Sequence, residues 1–383
     1  MTNDRRIQIA SPSVGEEEWR AAREPLESGW LTQGPKVAAF EEAFAARHGV
    51  THAIAVTSCT AALHLAVEAL GIGPGDEVMV PSFTWIATAN VVVHAGATPV
   101  LVDVDRETYN IDPKEAEQRV TPRTRAVMAV HMFGLCADVP GLRQVLPTDV
   151  AIIEDAACAV GAALGDRSAG ALGEVACFSF HPRKTITTGE GGMVTTNDTS
   201  LADRASVLRN HGASISEEAR HVGPKPYLLP SFDFAGFNYR MTDIQAAIGL
   251  VQLGKLDRLL DERDAWAQYY RRELADISWL RTPPVPETGR HGWQAFVCYI
   301  DPDEAPMSRN EIMEVLQSKG ISTRAGTHAV HTLSFYQDRF GLEDDDLPVA
   351  RDCAENTLAI PLHNRMSERD YEYVVATLRT LGA

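Results

Sequence analysis

A chain of 383 residues, 45% of them hydrophobic and without a biased tract, is long enough to bury one large α/β core and a smaller second one. Its formal net charge of −17 repels polyanions, which excludes nucleic acid and anionic membrane as bulk partners but leaves room for a local basic pocket. No signal segment or apolar run of about 20 residues occurs, and the 6 cysteines and 12 histidines show no metal-ligand spacing, so the expectation is a cytoplasmic protein with free thiols and no metal.

Residues 16–28 (EEEWRAAREPLES) have helical composition, interrupted by Pro25 and stopped by Gly29. After the turn WLTQGP, Pro35 starts a second helix with Val37, Phe40 and Phe44 on one face, ended by Gly49. A strand from His52 to Val56 runs into TSCT, and Thr60 opens a helix carrying Leu63, Val67 and Leu70 on one side. Because the first amides of a helix are unpaired and its dipole is positive there, Ser58, Cys59 and Thr60 are candidates for gripping a phosphate. The same residues also suit a plain helix cap.

A short strand, Glu77 to Val80, precedes PSFTWIATAN and a helix reaching about His94. Trp85, just beyond that strand, is either a core filler or a flat surface for stacking a ring. The alternation continues with strands Pro99 to Val102 and Ala126 to Val130, a helix from Val139 to Val145, and a strand from Val150 to Ile153. It predicts a mostly parallel sheet with helices on both faces and a ligand at the carboxyl ends of the strands. Glu154 and Asp155 follow the last strand and point to opposite faces, and the one facing the site wants a positive charge opposite.

A strand from Val175 to Ser179 delivers Lys184 onto a loop rich in hydroxyls and glycines, and the strand Met193 to Thr196 leaves it. Such a loop suits a phosphate, and a lysine shielded from water can lose its proton and attack a carbonyl. This segment alone also allows a solvated surface lysine. Residues 211–236 read as a long loop that covers a site or crosses to a partner subunit. A helical stretch from about Asp243 to Leu274 places Ile244, Ile248, Val251 and Leu259 in one stripe, and strand-like WQAFVCYI with helices near Arg309 to Lys319 and Glu368 to Leu381 forms a small cap. The expected division is a large domain over residues 1–250 and a small one over 251–383.

A lysine, an acid, an aromatic and two anion seats are together the inventory of a pyridoxal phosphate (PLP) site, and neither GxGxxG nor GxxxxGK[ST] competes with it. Through SGWLTQGP, TSCTAAL, PSFTWIATAN, LVDVD, EDAACAVGA, FSFHPRKTITTGEGGM, GFNYRMTDIQAAIG and IPLHNRMS, the chain resembles the DegT/DnrJ/EryC1/StrS family of PLP-dependent sugar aminotransferases along nearly its whole length. The resemblance implies a fold-type-I (aspartate aminotransferase-like) architecture and a homodimer with sites at the subunit interface. It further implies that Lys184 forms the Schiff base and shuttles the proton, Asp155 pairs with the pyridinium nitrogen, and Trp85 stacks on the ring. Ser58, Cys59, Thr60 and Ser179 would hold the phosphate, with Asn238 reaching in from the neighbouring subunit.

By the same resemblance the donor is L-glutamate and the acceptor a nucleotide-linked 3- or 4-keto hexose, with a keto-cyclitol or another non-nucleotide acceptor as the alternative. Cys158 stands beside the cofactor where many relatives carry Gln or His, and Gln294 stands where many carry His. Arg240, Arg324, His328 and His331 are candidates for an acceptor's diphosphate, although Arg240 could instead cap an interface and the histidines could be packing groups. Related dehydratases that use pyridoxamine phosphate (PMP) carry His in place of the lysine, so Lys184 speaks against dehydration. Intact Lys184, Asp155 and Ser179 speak against a non-catalytic sensor.

Overall fold

Val, Ile and Ala dominate the segments that make the central sheet, as strands covered on both faces require. The computed structural model describes residues 6–215 and 227–382. Its main strands are β1 (His52–Val56), β2 (Glu77–Pro81), β3 (Thr98–Val102), β4 (Thr124–Val130), β5 (Ala151–Asp155), β6 (Val175–Ser179) and β7 (Gly192–Thr196). They lie in the order β1-β7-β6-β5-β4-β2-β3. From β6 to β3 all neighbours are parallel, whereas β7 runs antiparallel to both β6 and β1. A short loop can return the chain only antiparallel, and the loop between β6 and β7 carries Lys184.

Strand alternation divides the apolar residues between two layers. Val78, Val80, Met128 and Ile153 pack on one face, and Met79, Val127, Ala129 and Ile152 on the other. A third core gathers Tyr270, Trp293, Phe296 and Tyr371 with Ile7 from the amino-terminal segment. It supports a four-stranded antiparallel sheet of Leu280–Arg281, Phe296–Ile300, Thr357–Ile360 and Arg324–Ala325. The division expected at residues 250 and 251 falls inside helix Asp243–Gly254. The change of core comes within the next helix, Leu256–Glu273, whose Leu256 and Leu259 join the large core and whose Ala267 and Tyr270 join the third.

Several local expectations are corrected by packing. Pro25 does not interrupt helix Glu16–Ser28; it lies inside it within a turn of the end, and its carbonyl accepts the Gly29 N–H at 3.1 Å. The stretch from Asp243 to Leu274 is two helices that meet at Lys255, after Gly254. In the first of them the buried face is Ala246, Ala247, Gly249 and Gln252, while Ile244, Ile248 and Val251 stay half-exposed. Close approach to helix Pro35–His48 explains this, because a Cβ on Gly249 would lie 2.8 Å from the Phe40 ring. β5 runs on through Glu154 and Asp155, which pair with Ala129 and Val130 of β4. Within the expected loop over 211–236, residues 216–226 lie outside the described residues. No described helix is long and apolar enough to cross a membrane.

Candidate active site

The carboxyl ends of β4, β5 and β6 open into a cavity of about 360 Å³ that Asp155, Cys158, Ser179, Lys184 and Trp85 all line. At its floor begins helix Cys59–Ala69. Ser58 caps this helix, its hydroxyl accepting the Ala61 N–H at 3.1 Å. The cap reading and the anion reading therefore divide between neighbours: the Ser58 hydroxyl is engaged by its own helix, and the first amides, of Cys59 and Thr60, are left for a ligand. The start of β7 lies hard against this turn, since a Cβ on Gly192 would lie 2.5 Å from the Ser58 carbonyl oxygen and 2.7 Å from the Cys59 nitrogen.

Asp155 and Glu154 take opposite faces as alternation demands, with different partners. Asp155 Oδ2 accepts the Thr88 hydroxyl at 2.7 Å. Asp155 Oδ1 accepts the Ala157 N–H at 3.2 Å and lies 4.0 Å from Cys59 Sγ. Thr88 is fully buried; it lies within PSFTWIATAN, but nothing in that motif marked this hydroxyl as the partner of Asp155. Among the described residues Glu154 has no Lys or Arg partner: buried, it accepts the amides of Gly170, Leu172 and Gly173 at 2.7 Å each and His131 Nε2 at 2.9 Å. Burial raises the Glu154 carboxyl, but the His131 bond and the Gly173 and Gly170 amides outweigh it and hold its pKa below the ordinary value. The ring of His131 accepts the Ala137 N–H at Nδ1, which leaves the proton on Nε2, and its backbone N–H donates to the Asp155 carbonyl at 3.0 Å.

Lys184 Nζ donates to Cys158 Sγ at 3.1 Å. Burial disfavours the ammonium, but Cys158, Cys59 and Asp155 outweigh it, and the Lys184 pKa lies above the ordinary lysine value. Among the chain's own groups, then, shielding from water does not by itself free the amine. Trp85 is no core filler: it is 61% exposed, with its ring 5.8 Å from that of His328 at the cavity mouth.

The other candidates are more scattered. Gln294 lines the cavity, with Nε2 donating to the Arg183 carbonyl at 3.0 Å. It is held by a crossing in which its N–H donates to the Phe133 carbonyl at 3.0 Å, between two residues of positive φ, Phe133 at 55° and Trp293 at 42°. Such strained positions persist only where surrounding bonds fix them; here the buried Arg263 donates to the Trp293 carbonyl at 3.0 Å. His331 is corrected to a packing group: fully buried, it bonds Ser82 Oγ through Nδ1 at 2.7 Å and the Asp344 carbonyl through Nε2 at 3.0 Å. Arg324 lies on an exposed strand of the small sheet, and its neighbours Gly326 and Thr327 reach the cavity instead. Arg240 donates to Asn210 Oδ1 at 2.8 Å, and Asn238 pairs with Asn210 in an antiparallel bridge outside this chain's cavity. Among the described residues no cluster could hold a metal ion.

A lysine, a carboxylate, an indole and open helix amides converging at the carboxyl edge of this sheet fit pyridoxal phosphate, and the fold and site are those of a PLP-dependent aminotransferase. The chain belongs to the DegT/DnrJ/EryC1/StrS aminotransferase family, whose model matches residues 12–379. It is similar to the spore coat polysaccharide biosynthesis protein SpsC of Bacillus subtilis (strain 168), at 41% identity over 372 residues, 97% of this chain and 95% of that one. A Streptococcus pneumoniae protein solved in its PLP form is similar at 27% identity and a TM-score of 0.91 over 98% of this chain and 98% of that one. Helicobacter pylori PseC, an aminotransferase involved in the biosynthesis of pseudoaminic acid, is similar at 26% identity and a TM-score of 0.90 over 98% and 99% of the two chains. The chain is thus a sugar aminotransferase that uses pyridoxal phosphate.

Proposed function

We propose that this enzyme transfers the amino group of L-glutamate to a nucleotide-linked 3- or 4-keto hexose. The observation that carries the reading is one cavity in which Lys184 and Asp155 stand at the ends of adjacent parallel strands above open helix amides. When bound, pyridoxal phosphate supplies a carbonyl for the amine and a protonated ring that draws electrons from the donor's Cα. Asp155 would balance that ring charge, with its carboxylate oriented by the Thr88 hydroxyl on Oδ2. The Cys59 and Thr60 amides, with Ser179, seat the phosphate. Trp85, which lines the cavity, would offer its indole as the stacking surface. Lys184, whose Nζ contacts Cys158 Sγ in this structure, is the residue that would hold the cofactor's carbonyl and, once freed, would serve as the positioned acid–base group.

The sugar acceptor is supported by what relatives are named for, a spore coat polysaccharide and pseudoaminic acid. With its nitrogen turned to Arg183, Gln294 has its oxygen left for a hydroxyl of the acceptor, a contact that can discriminate strongly between sugars. Arg183 lines the same cavity and offers positive charge for a diphosphate, while burial lowers the pKa of His181 there and leaves it to serve as a neutral hydrogen-bonding ring; His328 stands beside Trp85. Two copies complete the site: Asn238, outside its own chain's cavity, reaches the partner's phosphate seat. Leu229 and Phe232, 82% and 61% exposed, are covered in that dimer.

The test is the visible spectrum of the purified enzyme before and after L-glutamate. A yellow imine band that bleaches on adding the donor is the expected result. No band even with added PLP would overturn the role of Lys184, and a band indifferent to L-glutamate would overturn the donor.

A further inference from the structure

The loops that follow β5 and β6 bring a thiol and an amine into contact. Lys184 Nζ lies 3.1 Å from Cys158 Sγ, and both line the cavity that opens to solvent. Four of the six cysteines, Cys136, Cys177, Cys298 and Cys353, are buried, and only Cys59 and Cys158 are partly exposed. Both of these border the same cavity. They are not equivalent, because burial pushes the Cys59 thiol well up, with Asp155 adding to the effect, and a thiol kept protonated is a poor nucleophile. Cys158 is the sulfur that touches the amine.

We propose that Cys158 and Lys184 form an oxidant-responsive pair, in which a peroxide converts the Cys158 thiol to a sulfenic acid and Lys184 captures it as a sulfur–nitrogen bond. In the first step the sulfur gives two electrons to hydrogen peroxide, whose O–O bond breaks; one oxygen stays on sulfur and the other leaves as water. In the second, Nζ attacks the sulfur, the S–O bond breaks, and the hydroxyl departs with an amine proton as a second water. Sulfenic acids condense in this way with a nearby nitrogen or thiol, and the side-chain nitrogen in contact here is Nζ. A reducing dithiol returns both side chains to their starting forms. The consequence for regulation rests on the reading of Lys184 as the cofactor lysine: a lysine bonded to sulfur cannot hold pyridoxal phosphate. Oxidant and cofactor then compete for one nitrogen. Since Lys184 is held as an ammonium, linkage proceeds through its deprotonated fraction and rises with pH above neutrality.

The experiment exposes the full-length enzyme to hydrogen peroxide with PLP removed and with PLP in excess, and reads intact mass and a peptide map. Without PLP, the expected product is lighter by two hydrogens, with the Cys158 peptide joined to the Lys184 peptide, and dithiothreitol restores the starting mass. Excess PLP suppresses the link several-fold. Cys158→Ser and Cys158→Gln both abolish it, two variants guarding against one that fails to fold. The imine band that forms on later addition of PLP falls in step with the linked fraction and recovers with dithiothreitol. Oxygen added to Cys158 without a link, or the missing hydrogens mapping to a Cys59–Cys158 disulfide, overturns the proposal. If reduced enzyme forms no imine band with PLP, the proposed function fails, while the mapped link is judged separately by its mass.

Discussion

The two oxygens of Asp155 have unlike duties, one engaged by the Thr88 hydroxyl at 2.7 Å and the other turned to the Ala157 amide and Cys59. A hydrogen bond to a charged group contributes about 1.5–3 kcal/mol. Thr88→Val is therefore expected to slow the L-glutamate half-reaction by about tenfold to a hundredfold, with KM for the donor little changed and Thr88→Ser restoring the rate. Stopped-flow bleaching of the imine band measures it. Lys184→Ala has a different signature: no imine band, and turnover lower by at least about 10²–10⁴, the usual contribution of a positioned acid–base group. A variant that kept its turnover would remove Lys184 from the mechanism.

At the scale of elements, the site depends on how closely two pieces of backbone approach. β7 begins at Gly192 with only enough room for a hydrogen beside the start of helix Cys59–Ala69. Gly192→Ala must push that turn away, because both nearest contacts are backbone atoms. The expected result is PLP binding weakened by about tenfold or more, about 1.4 kcal/mol, measured by titrating the imine band. A second joint is Asp243, whose Oδ1 accepts the Gly34 and Val37 amides at 2.8 and 3.0 Å and whose Oδ2 accepts that of Lys36 at 3.1 Å. It caps helix Pro35–His48 from a distant helix. Asp243→Ala removes a cap and a tertiary tie together, and is expected to cost about 1–2 kcal/mol, read as a lower denaturant midpoint with an unchanged slope.

Over the whole molecule, acid sensitivity follows from buried imidazoles. Burial lowers His48 and His363 to about 4 and His291 to about 3, against an ordinary value of 6.5. A histidine depressed in the folded state stabilises the fold above its unfolded pKa, and that stability is lost as pH falls toward the folded pKa. Each unit is worth about 1.4 kcal/mol. Stability is thus expected to decline below about pH 6.5, before surface carboxylates titrate, and to go on falling toward about pH 4; urea midpoints across that interval test it. Assembly belongs to this scale too. Leu229→Asp with Phe232→Asp is expected to convert a two-chain species to one chain in sedimentation and to lower PLP affinity through loss of the partner's Asn238, whereas an unchanged mass would remove these residues from the interface.

What the sequence determined by itself was local. Strand–helix alternation defines the parallel sheet, Lys184 and Asp155 each come within a few residues of an apolar run, and Ser58 to Thr60 mark a helix start; each signal needs only neighbouring residues. Alternation also separated Glu154 from Asp155, but not which partners each would find, because Thr88 comes from a helix and His131, Gly170, Leu172 and Gly173 from loops that only the packing brings alongside. Tertiary structure alone brought Thr88 to Asp155, 67 positions away, and Cys158 to Lys184, 26 positions away. It also buried His331 against Ser82, 249 positions away, and turned the small residues of helix Asp243–Gly254 inward in place of its apolar stripe. The physical reason is the same in each case. Hydrophobic period assigns a residue to a face, whereas sheet order and the closeness of backbone packing decide what that face meets.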